Sequence, residues 1–264
     1  MRIALAVEYD GSGFRGWQKQ PGGGTVQDAL QEALQEFAGT PIGVVCAGRT
    51  DAGVHALGQV VHFDTALDRP MFSWVRGINT FLPPAVAVRW AQAVSDDFHA
   101  RFSAYARRYR YLLINRAHRS GLGHGRVGWY HQPLDLPAMQ EAARLLLGER
   151  DFSAFRAAEC QANSPIKTMH RADIQRSGEL FVFDFEASAF LHHMVRNLVG
   201  SLLHVGKGRR PPEWIAELLA LGDRRLAAPT FAAAGLYLAA VSYPPHFDLP
   251  SVDETLLLAG GPGL

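Results

Sequence analysis

Twice along this chain the hydrophobic pattern runs strand, helix, strand, strand, helix, strand, and that repetition restricts the fold more than any single residue does. In the first pass Ile3–Tyr9 alternates as a strand. Thr25 is placed to cap a helix with the apolar stripe Val26, Ala29, Leu30, Ala33, Leu34 and Phe37, which stops at Gly39 and Pro41. Ile42–Cys46 and Gln59–Asp64 follow as strands, Pro70–Phe81 as a helix closed by Pro83 and Pro84, and Val86–Val94 as a strand. The second pass has a strand at Arg108–Asn115, a helix at Pro137–Leu147 behind Asp135, and a hairpin of His170–Arg176 and Leu180–Ala187 about Ser177-Gly178. A long amphipathic helix at Phe190–Val205, a short one at Trp214–Leu219 and a strand at Leu236–Ser242 complete it. The expected fold is α+β: two ferredoxin-like βαββαβ halves, residues 1–104 and 105–245, then a tail at 246–264. A length of 264 residues agrees with two domains of roughly 150 each.

Hydrophobic residues at 48% and charged residues at 19% exclude general disorder. The two cysteines, Cys46 and Cys160, make neither a disulfide framework nor a zinc ribbon, so a reduced, cytoplasmic setting is expected. The apolar run at the N-terminus is too short for a signal peptide and ends at Glu8. The longest uncharged stretch, Leu226 to Phe247, contains Pro229, Pro244 and Pro245 and reads as a buried strand near Leu236–Val241, with no membrane span expected.

A net charge of +1 conceals an uneven distribution. No Asp or Glu lies between Phe98 and Leu134, a span that holds Arg101, Arg107, Arg108, Arg110, Arg116, Arg119 and Arg126 among Phe102, Tyr105, Tyr109, Tyr111, Trp129 and Tyr130. Guanidinium groups grip phosphates in bidentate fashion and aromatic rings stack on bases, so the span suits a nucleic-acid surface as well as a solvated basic face.

Gly11-Ser12-Gly13-Phe14-Arg15-Gly16 satisfies the dinucleotide-binding spacing, but no helix opens within it and no acid ends the next strand. The expectation is a mobile glycine-rich loop with Arg15, Trp17 and Lys19 free to touch a ligand. The eleven histidines contain no metal-binding spacing. His55 and His62 stand apart, and His192 and His193, as helix neighbours, would point about 100° from each other, so no metal and no cofactor is expected. The segment from Gly48 to Ala56 carries one acid, Asp51, between two glycines and between two strands, with no further carboxylate before Asp64. Such an Asp either caps a turn or carries chemistry on a rigid sheet.

That segment, Gly48-Arg49-Thr50-Asp51-Ala52-Gly53-Val54-His55-Ala56, resembles the active-site motif of the tRNA pseudouridine synthase A family. The resemblance continues in Tyr9-Asp10-Gly11-Ser12-Gly13-Phe14-Arg15-Gly16-Trp17-Gln18, in Phe98-His99-Ala100-Arg101-Phe102-Ser103-Ala104, and in Arg107-Arg108-Tyr109-Arg110-Tyr111. Asp151-Phe152-Ser153-Ala154-Phe155-Arg156, Met194-Val195-Arg196-Asn197 and Gly235-Leu236-Tyr237-Leu238 follow in order, with Ser12 and Lys167 as small departures. The resemblance implies the pseudouridine synthase fold with a catalytic cleft between its halves, and conversion of uridine to pseudouridine at tRNA positions 38–40 without metal or cofactor. It implies Asp51 as the catalytic carboxylate, Arg196 as its cationic partner, and Tyr109 as a ring that stacks on uracil and assists proton transfer. Three first steps are open to Asp51: attack on C1′, addition to C6 of uracil, or abstraction of a ribose proton. Arg15, Lys19, Arg49, Arg108 and Arg110 are the expected tRNA contacts, and a homodimer is implied. A plain RNA-binding module would not need Asp51, Tyr109 and Arg196 together, and a nucleoside hydrolase would need a metal or a second acid.

Overall fold

The structure, a computed structural model, describes residues 1–252 and divides into two compact units. Of the described residues, the first comprises Met1–Tyr105 together with 237–252, and the second runs from Ala106 to Leu236. In the expected division the strand at Leu236–Ser242 closes the second half; in the structure it joins the first. Of the expected tail, 253–264 lie outside the described residues.

The first unit contains β1 (Arg2–Tyr9), α1 (Val26–Ala38), β2 (Val45–Cys46), β3 (His55–Asp64), α2 (Met71–Phe81) and β4 (Val86–Val94). β1 lies antiparallel between β3 and β4. The other edge of β3 is shared. β2 pairs with it at Val61 and His62, whereas a strand from far along the chain pairs with it in parallel at His55 and Ala56. β2 has two residues and not the expected five, because only Val45 and Cys46 pair with β3. Thr25 caps α1 with a full capping box in which the Asp28 side chain returns to the Thr25 backbone, and Gly39 ends the helix in left-handed conformation. α1 and α2 cover one sheet face, where Trp74 is fully buried against Phe37 and Phe63. On the other face Ala4, Ala47, Val60, Phe98, Ala100 and Phe247 form a second core, so the start of the expected tail is built into the unit.

The second unit contains β5 (Ala106–Asn115), β6 (Gly128–Tyr130), α3 (Leu136–Arg144), β7 (Gly148–Asp151), β8 (Ile166–Ser177), β9 (Leu180–Ala187), α4 (Met194–Gly206) and α5 (Trp214–Leu221). β10 (Leu236–Ser242) follows and is the late strand that pairs with β3. In the second unit β9 lies antiparallel between β5 and β8, and β7 extends the sheet beyond β8. β6 and β7 were not expected, because three residues and the exposed run Gly-Glu-Arg-Asp carry no alternation. Phe181, Phe183, Phe185, Ile174 and Tyr111 fill the core with Leu198, Val199, Leu202 and Leu203 of α4. At roughly 2 kcal/mol for each large buried side chain, this core holds the strands and α4 of the unit on a fixed frame. α4 starts four residues later than its periodicity predicts, because His193 adopts a left-handed conformation with φ 61° and breaks the helix. No helix among the described residues is long and apolar enough to cross a membrane.

Candidate active site

The loop that carries Asp51 is fixed from several sides within the first unit. At its start the Gln59 side-chain amide donates to the Gly48 carbonyl at 2.6 Å, and the Ala47 N–H donates to Val60 O at 2.8 Å. At Thr50, next to the acid, the hydroxyl shares a buried 2.7 Å hydrogen bond with Tyr9, and the carbonyl accepts from the Trp17 N–H at 3.0 Å. After the acid, the Val54 N–H closes a turn onto Asp51 O at 3.1 Å, with Gly53 at φ 77°. His55, 1% exposed, then anchors the far end. Its Nδ1 accepts from the Gly11 N–H at 3.0 Å and lies 3.2 Å from Asp10 Oδ1, while its ring stacks on Tyr237 at 4.6 Å. Asp51 itself is half-buried and Arg49 is exposed. Burial pushes the neighbouring Cys46 thiol up to about 11, which removes it as a thiolate nucleophile.

The glycine-rich segment at Gly11–Gly16 serves this loop. A Cβ on Gly11 would stand 2.0 Å from Val54 O, and one on Gly16 2.9 Å from Thr50 O, so both glycines permit backbone to lie against backbone. Trp17, expected to be free for a ligand, is 1% exposed and packs on Tyr9 at 5.9 Å. The segment is also hydrogen-bonded throughout: Arg15 N–H donates to Gly24 O, and Gln20 reaches Arg15 O. Arg15 and Lys19 are exposed, with Lys19 Nζ 3.7 Å from Asp28. The expectation of a mobile loop is therefore corrected: these residues form a platform, and only Arg15 and Lys19 of the three face solvent.

In the second unit, alternation on β5 places Tyr109 and Tyr111 on one face and Arg108 and Arg110 on the other. Tyr109 is 8% exposed and meets Phe190 edge-to-face at 5.0 Å. Tyr111 is a core residue, fully buried with its hydroxyl donating to Ala232 O at 2.9 Å, and burial pushes its hydroxyl up. Arg108 and Arg110 converge on Asp184, which lies directly across the ladder from Arg110: Arg108 Nε at 2.8 Å and Arg110 Nε at 3.4 Å. Arg110 is 7% exposed. Expected as phosphate contacts, both are committed to a cross-strand ion pair that no sequence spacing announces.

Arg196 stands in the first turn of α4, half-buried, with Nε donating to Phe231 O at 2.8 Å. The next residue, Asn197, has no exposure, and its amide ties three segments together. It donates to Phe155 O at 2.8 Å and accepts from Arg224 at 3.0 Å and from the Thr230 hydroxyl at 2.7 Å. Two sequence motifs, Asp151–Arg156 and Met194–Asn197, are thus joined by one side chain. His192 and His193 precede the helix, with ring centroids 3.9 Å apart, so the expectation that helix geometry separates them is corrected. His62 accepts the Ala100 N–H at 3.1 Å, as His55 accepts that of Gly11. Tyr9, Thr50, Gln59, His55 and Asn197 are the functional supports that sequence reasoning missed; each acts through a partner distant in the chain.

Comparison with known proteins shows the family. The family profile described as tRNA pseudouridine synthase matches residues 5–103 and 142–244. The chain is 65% identical to the tRNA pseudouridine synthase A of Dechloromonas aromatica over 257 residues, which covers 97% of this chain and 98% of that protein. It is 60% identical to the synthase of the same name in Burkholderia vietnamiensis, covering 95% and 93%, and 56% identical to that of Cupriavidus pinatubonensis, covering 98% and 97%. A solved Cbf5-Nop10-Gar1 complex matches at a TM-score of 0.33 and 12% identity, over 76% of this chain and 45% of that one, too slight a likeness to argue from. The Asp51 loop lies in the first matched segment and Arg196 in the second, and with relatives up to 65% identical over almost the whole length the chain belongs to the tRNA pseudouridine synthase A family.

Proposed function

We propose that this chain isomerises uridine to pseudouridine at positions 38–40 of the tRNA anticodon stem-loop, with Asp51 as its catalytic carboxylate. The observation that carries the residue assignment is the tethering of the Asp51 loop: a single acid held by backbone and buried side chains before, beside and after it. Such fixing matches a reaction in which placement of one carboxylate decides the rate. The N1–C1′ bond breaks, the uracil turns without leaving, and C5 joins C1′. The C5 proton is lost and N1 gains one, so the sum is an isomerisation that needs no oxidant or energy source.

Asp51 acts in its ionised form at C1′, at C6 or on the ribose, and a cation must offset the cost of keeping that charge away from water. Arg196 is the residue proposed for that task. Tyr109, a ring already packed against Phe190, stacks on the flipped uracil and takes part in the late proton transfer from C5. Arg49, Arg15 and Lys19 contact the surrounding tRNA. The working protein is a homodimer in the cytoplasm that takes tRNA as its substrate.

Release of tritium from tRNA labelled as [5-³H]uridine tests the reading, since pseudouridine formation frees the C5 hydrogen while the base stays attached. The wild type is expected to release tritium, and Asp51→Asn to bind tRNA within about twofold and release none in a single turnover. An Asp51→Asn rate within tenfold of wild type would remove Asp51 from the catalytic role.

A further inference from the structure

Past the end of α4 the chain places Lys207, Arg209 and Arg210 within four residues, and the catalytic reading uses none of them. Arg209 and Arg210 are exposed and Lys207 is half-buried. Among the described residues no carboxylate oxygen lies within 4.0 Å of their nitrogens, unlike Arg108, Arg116 and Arg225, each of which has an acid. Aromatic faces hold two of these cations instead. Lys207 Nζ stands 5.8 Å from the centre of the Tyr130 ring, and the Arg210 guanidinium 5.4 Å from that of Trp214. Trp214 is 7% exposed and stacks on His204 at 6.1 Å. The turn is rigid, because the N–H groups of Arg209 and Arg210 both donate to His204 O, at 3.0 and 3.3 Å. Asp135, whose N–H donates to Gly206 O, spends its carboxylate on capping α3, and Glu213, the nearest acid in sequence, stands at the start of α5.

Cations at a helix C-terminus also satisfy the helix dipole, worth a fraction of a kcal/mol. That accounts for one residue in the last turn, not for three charges gathered without a counter-charge. His204 registers the crowding: burial first, then the charges of Lys207, Arg209 and Arg210, hold its imidazole below the ordinary value.

We infer that Lys207, Arg209 and Arg210, the first seated on Tyr130 and the last on Trp214, form a phosphate-binding surface for the backbone of the substrate tRNA, distinct from the contacts around the reacting uridine. The inference rests on the tRNA reading above. Lys207 lies eleven residues after Arg196, roughly 16 Å along the helix, so the two ends of α4 hold different nucleotides. This surface contributes binding and register, not chemistry.

The test measures the affinity of unmodified tRNA against potassium chloride concentration for Arg209→Gln/Arg210→Gln, with single-turnover tritium release at saturating enzyme. Each phosphate contact contributes roughly 0.7–0.9 to the slope of log affinity against log salt, so the double variant should lower the slope by about 1.5. Its saturating rate should stay within twofold of wild type. Arg209→Lys/Arg210→Lys keeps the charges and should keep the slope. Arg76→Gln/Arg144→Gln, the same charge change at exposed arginines elsewhere, should leave it nearly unaltered. An unchanged slope in the glutamine variant, an equal fall in the Arg76/Arg144 control, or loss of slope in the lysine variant would each overturn the inference. Because the wild type is assayed for tritium release alongside, failure of this surface is distinguishable from failure of the tRNA reading itself.

Discussion

Replacing Gly16 with alanine should slow the reaction by displacing the backbone of Asp51, although Gly16 itself is given no contact with the substrate. Gly16 has φ 87°, where an L-residue is strained by roughly 1–2 kcal/mol. Its new Cβ would stand 2.9 Å from Thr50 O, 3.1 Å from Ala52 N and 3.2 Å from Asp51 C, all of them backbone atoms that cannot rotate away. Ordinary contact starts at 3.4 Å, so the Thr50–Asp51 peptide must shift by about half an ångström or the platform must open. If a misplacement of 1 Å costs about a hundredfold, half that distance costs about tenfold. Gly13→Ala, in the same motif, meets nothing within 4 Å and has no positive φ, so it serves as the control. Single-turnover tritium release at saturating enzyme should fall about tenfold for Gly16→Ala and stay unchanged for Gly13→Ala, with a melting point a few degrees lower for the former. If Gly16→Ala melts lower yet turns over within twofold of wild type, the glycine platform does not locate Asp51.

Tyr9→Phe removes the hydroxyl that holds Thr50 while keeping the ring against Trp17, and should lower the single-turnover rate severalfold with tRNA affinity unchanged; a change in affinity alone would contradict it. His62 bears on stability: burial, then the charges of His99 and Arg2, lower its imidazole from 6.5 to about 4. The folded state thus favours the neutral ring, and its contribution is present above the unfolded value and lost as pH falls from about 6.5 towards 4. Between pH 7.5 and 5.0 this amounts to about 2 kcal/mol. Denaturant titrations should show that much less pH dependence in His62→Gln than in wild type, and equal pH dependence would refute it.

What the sequence reveals is local. Thr25 and Asp135 cap helices that form where their apolar stripes require, and the strands at Val86–Val94 and Leu180–Ala187 end where alternation ends. The Asp51 loop is visible because glycines and a lone acid between two strands form a local signal. What holds that loop is not local: Tyr9 is 41 residues from Thr50, and Gln59 is 11 from Gly48. Arg108 and Arg110 illustrate the limit, since a basic run looks solvated until the ladder sets Asp184 opposite, 74 residues on from Arg110.

That late strand bears on the order in which the protein can be made. The unit that carries Asp51 is built from both ends of the chain, with the whole second unit synthesised in between. His55, which anchors the Asp51 loop, stacks on Tyr237, a residue added 182 peptide bonds later. At about 5–20 residues per second, a ribosome leaves the loop without that partner for roughly 10–40 s. The second unit is contiguous among the described residues and can close first, whereas the first must wait with the His55–Ala56 end of β3 unpaired on the edge that β10 will take. Assembly of the Asp51 loop is thereby tied to completion of nearly the whole chain, and a nascent fragment that stops short of Tyr237 has the motif but not the anchored loop.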